Sequence, residues 1–140
     1  MKLRRVVVTG LGAITPIGEG IDEYWKSLSN GVSGAGDITL FDVSKYKTRF
    51  ACEVKSFDPK DHFDRKEARK LDRFAQYALV SSDEAIIDAG LDLDKVDKFR
   101  VGVIWGAGIG GLETFQTEVL NYAQGDGTPR FNPFFIPKMI

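Results

Sequence analysis

Apolar residues come in a block at the start of the chain, where Val6-Val7-Val8 follow Arg4-Arg5. Consecutive rather than alternating apolar positions predict a strand covered on both faces over residues 3–9. After Gly20 the period changes. Ile21, Trp25 and Leu28 recur at i, i+4 and i+7, which predicts a short helix near Ile21–Ser29 with Asn30-Gly31 as its stop. Residues 31–48 follow no period. Phe50, Cys52 and Val54 then alternate with Ala51, Glu53 and Lys55, predicting a short half-buried strand with Cys52 on its inward side.

Asp58-Pro59 begins the next helical region, and Asp64 stands three residues before Glu67, close to a capping box. Leu71, Phe74, Ala75, Ala78, Ser82, Ala85, Ile86 and Ala89 form one apolar stripe, predicting the longest helix over 72–88, closed by Gly90. Val101-Gly102-Val103-Ile104-Trp105 reads as a second buried strand, and 112–123 as a further helix. A turn follows at 124–128. Pro129, Pro133 and Pro137 exclude regular helix or central strand from the tail, residues 129–140. Strands separated by helices make the fold class α/β. So few strands would leave sheet edges exposed, and the chain reads as cut.

Two glycine runs invite a nucleotide reading, and neither sustains it. Gly10-Leu11-Gly12 follows a strand, but a dinucleotide loop then requires glycine or alanine where Thr15 stands, and Pro16 comes next. Gly106-x-Gly108-x-x-Gly111 has the spacing and lies between a strand and a helix. It comes late in the chain, however, and Asp126 is a poor candidate for the acidic ribose partner. Close backbone packing is the favoured explanation. A Rossmann oxidoreductase stays as the third functional reading.

Composition narrows the classes. With 140 residues, 43% of them hydrophobic, the chain suits one domain with a substantial core. A net charge of −1 gives no whole-chain reason to expect nucleic acid or an anionic membrane. The single cysteine, Cys52, excludes an intrachain disulfide and reads as a small buried thiol rather than a nucleophile. His62, the only histidine, reads as a surface residue, and a multi-histidine metal site is excluded. Lys2, Arg4 and Arg5 loosely imitate a signal peptide, but Gly10 and Gly12 interrupt the apolar run. No stretch approaches the roughly 20 apolar residues of a membrane span. The cytoplasm is the expected compartment.

Lys66, Arg69, Lys70 and Arg73 stand at i, i+3, i+4 and i+7, which on a helix would make one basic face. Such a face is either simply solvated or a docking patch for an acidic partner. It lacks interleaved aromatics, so nucleic acid is a weak third choice. The tail Phe131-Asn132-Pro133-Phe134-Phe135-Ile136-Pro137 is too apolar to stay in water. It packs in a core, or lines a subunit interface or an apolar substrate tunnel.

Arg4-Arg5-Val6-Val7-Val8-Thr9-Gly10-Leu11-Gly12, Thr15-Pro16-Ile17-Gly18, Trp25 and Phe41-Asp42 recur together in one family. Arg65-Lys66-Glu67, Arg69-Lys70, Gly106-x-Gly108-Ile109-Gly110-Gly111 and Asn132-Pro133-Phe134-Phe135-Ile136-Pro137 continue the match in order. The whole chain resembles the N-terminal third of a β-ketoacyl-acyl-carrier-protein synthase, especially the elongating type II enzyme.

The resemblance implies a partial thiolase-like fold, the N-terminal part of the first of two βαβαβαββ halves, with 1–140 belonging to one synthase domain and no second domain present. It implies decarboxylative Claisen condensation through a cysteine thioester, in a homodimer, without cofactor or metal. Acyl carrier protein, in acyl and malonyl forms, is the implied partner. The nucleophilic cysteine and two histidines are expected beyond Ile140; Cys52 and His62 match neither motif, so the catalytic set is absent here and the chain alone should be inactive. Ile109 matches the residue that gates the acyl tunnel, and Phe135 the aromatic that reaches the partner's acyl pocket. Lys66, Arg69 and Lys70 match carrier-docking positions, with Arg130 as a further candidate. The alternative is a non-catalytic, carrier-binding or chain-length-factor-like subunit.

Overall fold

The computed structural model describes residues 3–140, so Lys2 of the basic N-terminal reading lies outside the described residues. In chain order the elements are β1 (Ile14–Thr15), β2 (Gly18–Glu19), α1 (Ile21–Ser29), β3 (Ala35–Asp37), β4 (Phe50–Cys52), α2 (Arg65–Ala68), α3 (Arg73–Asp88), α4 (Leu112–Gln124) and α5 (Phe135–Met139). The chain divides into two units. One runs up to Phe57 and includes Val80–Lys98; the other comprises Asp58–Leu79 and Phe99–Ile140.

In the first unit, β1 and β2 form an antiparallel hairpin, Ile14 opposite Glu19 and Thr15 opposite Gly18. Pro16 and Ile17 make its turn, where the Thr15 hydroxyl donates to the Gly18 carbonyl at 3.1 Å and accepts the Ile17 N–H at 3.3 Å. Thr15-Pro16 thus builds a tight reversal. β3 and β4 form a second hairpin, Ala35 opposite Cys52 and Asp37 opposite Phe50.

The first glycine pair lies under α3. A Cβ on Gly10 would stand 2.2 Å from the Ala85 carbonyl oxygen, and one on Gly12 would stand 2.0 Å from that of Ser81. Ser81, Ala85 and Ala89 are small residues four apart, so the loop and the helix meet backbone to backbone. The loop's N–H groups go to acidic side chains. Leu11 donates to Asp88 at 2.8 Å, and Ala13 donates to Glu84 at 2.8 Å. Carboxylates occupy the donors a phosphate would need, and their charge would repel one.

In the second unit, Asp64 caps α2 by accepting the N–H groups of Lys66 and Glu67 at 2.7 and 2.8 Å. The Asp72 carboxylate, just before α3, accepts the Thr114 hydroxyl from the first turn of α4. Gly110, at φ 74°, and Gly111 lead into α4. A Cβ on Gly111 would meet the Lys138 carbonyl oxygen at 2.1 Å, and the Gly111 N–H donates to the Met139 carbonyl at 3.3 Å. The end of α5 therefore covers this glycine pair, and its carbonyls take the place an anion would need.

Helix positions follow the apolar periods closely, while several other expectations are corrected. The predicted strands at 3–9 and 101–105 belong to no sheet among the described residues. Val6 is 89% exposed and Ile104 100%. A strand buried on both faces needs two neighbouring strands and two covering layers, and the described residues supply neither. The substantial core is likewise not formed: among them Phe57, 5% exposed, is the one buried large apolar side chain. Cys52 is exposed, because Phe50 and Cys52 take the outer face of β4 and Ala51 the inner. The basic run is not one helix, since α2 ends at Ala68 and α3 starts at Arg73. The tail does form a short helix, α5. Pro137 sits in its first turn, where a missing N–H breaks no helical bond.

Candidate functional site

The apolar stripe of α3 and the segment after residue 104 enclose an open cleft of about 650 Å³ within the second unit. Leu71, Phe74 and Ala78 form one wall; Trp105, Ile109 and Met139 contribute another. Ile109 is 72% exposed at this cleft. Its position is set by its two neighbours in the chain, because Gly110 and Gly111 are held under the α5 carbonyls. The arrangement offers an apolar, branched side chain at the edge of a space suited to an apolar chain.

Phe135 does not line that cleft. Its ring stacks on Phe131 at 5.6 Å and on Phe115 at 6.2 Å, and Phe131 lies 5.5 Å from Tyr122. Asn132 shapes this aromatic ladder: its N–H donates to Glu118 at 3.0 Å and its side-chain oxygen accepts the Phe134 N–H at 2.9 Å. The tail proline-phenylalanine pattern thus produces one continuous aromatic surface rather than a solvated loop.

Lys66, Arg69 and Lys70 are brought together on α2 and the turn behind it. All three are exposed, and none makes an ion pair among the described residues. Their cationic heads are therefore available to an external acidic group. Arg73 belongs to α3, with its guanidinium over the Tyr77 ring at 5.8 Å. Arg130 is committed locally, 3.1 Å from Asp126. The N–H and hydroxyl of Thr128 hold the Asp126 carboxyl below its ordinary value, and Arg130 adds to this.

Cys52 and His62 acquire no catalytic setting. Cys52 stands on the exposed face of β4, and the His62 ring lies 6.4 Å from that of Phe63. Among the described residues no group of histidine, cysteine and carboxylates is placed to hold a metal ion, and no helix is long and apolar enough to cross a membrane.

Two features escaped the sequence reading. One is the Asp72–Thr114 hydrogen bond, whose partners are too far apart in sequence to signal each other. The other is a smaller groove of about 350 Å³ walled by Pro59, Phe63 and Ala68, beside Arg65 and Arg69. Only the spacing of Phe63 and Ala68 around the cap residue Asp64 hints at it.

Comparison with known proteins follows the same residues. The family description "Beta-ketoacyl synthase, N-terminal domain" matches residues 3–140. The chain is 44% identical over 137 residues to the 3-oxoacyl-[acyl-carrier-protein] synthase 2 of Staphylococcus aureus (strain COL), covering 98% of this chain and 33% of that protein. It is 46% identical over 143 residues to the protein of the same name from Synechocystis, covering 100% of this chain and 33% of the relative. The chain thus spans about a third of the length of these curated relatives. Among solved structures, the ishigamide ketosynthase/chain length factor superposes with a TM-score of 0.82 at 33% identity, covering 98% of this chain and 34% of that one. A type II PKS acyl-carrier protein in complex with its ketosynthase, bound to the hexaketide, gives 0.74 at 25% identity, covering 96% and 34%. These neighbours are ketosynthases, and the fold is the corresponding part of the thiolase-like α/β architecture.

Proposed function

The chain belongs to the β-ketoacyl synthase N-terminal domain family, and on that premise we propose that it supplies the acyl-cleft and carrier-docking elements of a condensing enzyme of fatty-acid elongation. The observation that carries this reading is Ile109, exposed at the edge of an apolar cleft directly before the glycine pair that fixes it.

In the proposed reaction an enzyme thiolate attacks the acyl-carrier thioester, the acyl chain passes to the enzyme sulfur, and the carrier leaves as its thiolate. Malonyl-carrier protein then loses carbon dioxide, and the electron pair of the broken bond stays on the adjacent carbon. That carbanion equivalent attacks the acyl-enzyme thioester. The tetrahedral oxyanion collapses, expels the thiolate and leaves a lengthened 3-oxoacyl chain on the carrier. Ile109 limits how far the acyl chain extends, because a branched side chain at the mouth of an apolar space excludes volume. Phe135 and its ladder meet a second copy of the protein and complete the acyl pocket there. Lys66, Arg69 and Lys70 receive acidic side chains of the carrier, with Arg130 at the margin of that surface.

The reaction requires an activated thiolate, donors for the oxyanion and two imidazoles. Cys52 and His62 do not provide them, so these 140 residues alone are inactive in this reading. We place them as the N-terminal part of one synthase domain, working in the cytoplasm. The test is a condensation assay on the full-length protein with acyl- and malonyl-carrier protein. Appearance of 3-oxoacyl product supports the reading, and its absence in properly folded protein removes it.

A second reading is favoured by the neighbour that pairs a ketosynthase with a chain length factor. Here the chain would belong to a non-catalytic, carrier-binding subunit. In the full-length protein a cysteine at the thiolate-bearing position supports the first reading, and glutamine there favours the second. A Rossmann oxidoreductase is disfavoured because protein carboxylates and carbonyls occupy both glycine loops.

A further inference from the structure

The groove between the short turn at Pro59–Asp61 and α2 has no role in the reaction described above. Pro59, Phe63 and Ala68, each half-buried, give it apolar walls, and its volume is about 350 Å³. That lies at the small end of the roughly 300–1,000 Å³ spanned by ligand clefts. Its floor makes no demand for a polar ligand. Gln76, 6% exposed, donates its side-chain N–H to the Ala68 carbonyl at 3.1 Å.

The rim is cationic. Lys60, Arg65 and Arg69 surround the opening, and Arg65 and Arg69 make no ion pair among the described residues. Asp58, the one acidic residue lining it, accepts the Lys60 N–H at 3.0 Å and lies 3.8 Å from the Lys60 ammonium. Apolar walls over a satisfied Gln76, rimmed by unpaired guanidinium groups, are complementary to an apolar side chain flanked by carboxylates. This is the pattern of an interface anchor with a polar rim.

We propose that this groove takes one apolar side chain of the docking carrier protein, an acidic partner whose carboxylates meet Arg65 and Arg69. The inference rests on the docking reading, since Arg69 belongs both to the basic segment and to the groove rim. It adds an interaction of a different physical kind. The basic segment steers the encounter and weakens with salt, whereas an apolar anchor slows dissociation and is insensitive to salt.

The test uses the full-length protein and acyl-carrier protein, with affinity measured at low and at high salt. Ala68→Leu fills the groove without changing charge. It should weaken carrier binding roughly tenfold at both salt concentrations, the scale expected for losing a buried apolar side chain. Thermal unfolding and circular dichroism verify that the variant folds. As a check independent of that variant, exposed apolar residues of the carrier are replaced singly by serine. One replacement should lose affinity at high salt and add no further loss on top of Ala68→Leu. Unchanged affinity in folded Ala68→Leu overturns the groove, and so does the absence of any such carrier residue. Altered self-association with unchanged carrier affinity gives the groove to a second copy and likewise overturns it. If charge reversal at Lys66, Arg69 and Lys70 weakens binding while Ala68→Leu does not, the docking reading stands and the anchor fails. If Ala68→Leu weakens binding and the reversal does not, Arg69 meets no carboxylate of the carrier and the proposal, which needs that rim contact, is overturned.

Discussion

The Glu84 carboxylate accepts the Ile21 backbone N–H at 2.6 Å with one oxygen and the Ala13 N–H at 2.8 Å with the other. Ile21 is the first residue of α1, and Gly20 before it has no side chain with which to cap the helix. A residue more than sixty positions away therefore does the work of an N-cap, and its negative charge complements the α1 dipole. Replacing Glu84 by Ala leaves two part-buried donors without this partner. The cost should be about 1–3 kcal/mol in denaturant unfolding of the full-length protein. Glu84→Gln keeps one accepting oxygen and should cost less. Faster amide exchange at Ala13 and Ile21 in Glu84→Ala would locate the effect.

Glycine replacements should separate close approach from open loop. Gly12→Ala and Gly111→Ala place a methyl 2.0 and 2.1 Å from carbonyl oxygens, so the facing backbone must move. Each should destabilise by about 1–3 kcal/mol, the usual cost of overpacking. At Gly106 an added methyl would have nothing within 4 Å, and Gly106→Ala should stay within about 0.5 kcal/mol. Thermal unfolding of the three variants measures the contrast.

Helices were the most legible part of the chain, because their apolar period and end signals are local. Ile21–Ser29 agrees at both ends, and α3 differs from the sequence reading by one residue at its start. Gly90, at φ 59°, and the Asp64 cap acted where their residue types pointed. Strands were poorly legible, since an apolar run states that a segment wants neighbours but not whether they are present. The hairpin of β3 with β4 was missed because Ala35-Gly36-Asp37 has no β-branched or aromatic residue to announce it. At the site, the α3 stripe was readable, but the same residues served a cleft wall rather than a filled core. The glycine pairs were readable as tight packing, and the structure supplies the partners, Ser81 and Lys138, that no local pattern names.

Ile109→Phe should shorten the acyl chains accepted by the full-length protein. The larger ring occupies the cleft edge that Ile109 leaves open to a long chain. Discrimination against long primers should rise about tenfold in kcat/KM, in line with a steric change of a few carbon atoms in an apolar site. Rates with short and long acyl-carrier proteins decide it; an unchanged ratio removes the gate assignment.

Reversing charge at Lys66, Arg69 and Lys70 together should weaken carrier binding on the order of tenfold at low salt, through slower association. The difference from the parent protein should shrink as salt rises and the charges are screened. Association rates at several ionic strengths test this directly. Equal binding at all of them leaves the three residues as an ordinary solvated surface. Arg130→Glu alone should have a smaller effect, because that guanidinium is already held by Asp126.

Acid should loosen the loop beyond the β3–β4 hairpin through Glu53. Its carboxylate accepts the Thr39 N–H at 3.0 Å and the Thr39 hydroxyl at 2.8 Å, joining the segment after β3 to the residue after β4. These bonds, the backbone one first, hold the Glu53 carboxyl below its ordinary value of 4.5. A group depressed on folding contributes stability that is fully present above its unfolded pKa. That contribution is lost as pH falls through the lower folded value. Glu53→Gln removes the titration, so its stability should vary less with pH in that acidic window, while the parent protein loses stability there. The solvent exposure of Glu53 makes the effect small and salt-sensitive. Amide exchange at Thr39, followed from neutral to acidic pH, reads it locally: the parent should lose protection across the window and Glu53→Gln should show no such step. Parallel pH profiles for both proteins would mean that Glu53 does not set the acid sensitivity of this hairpin.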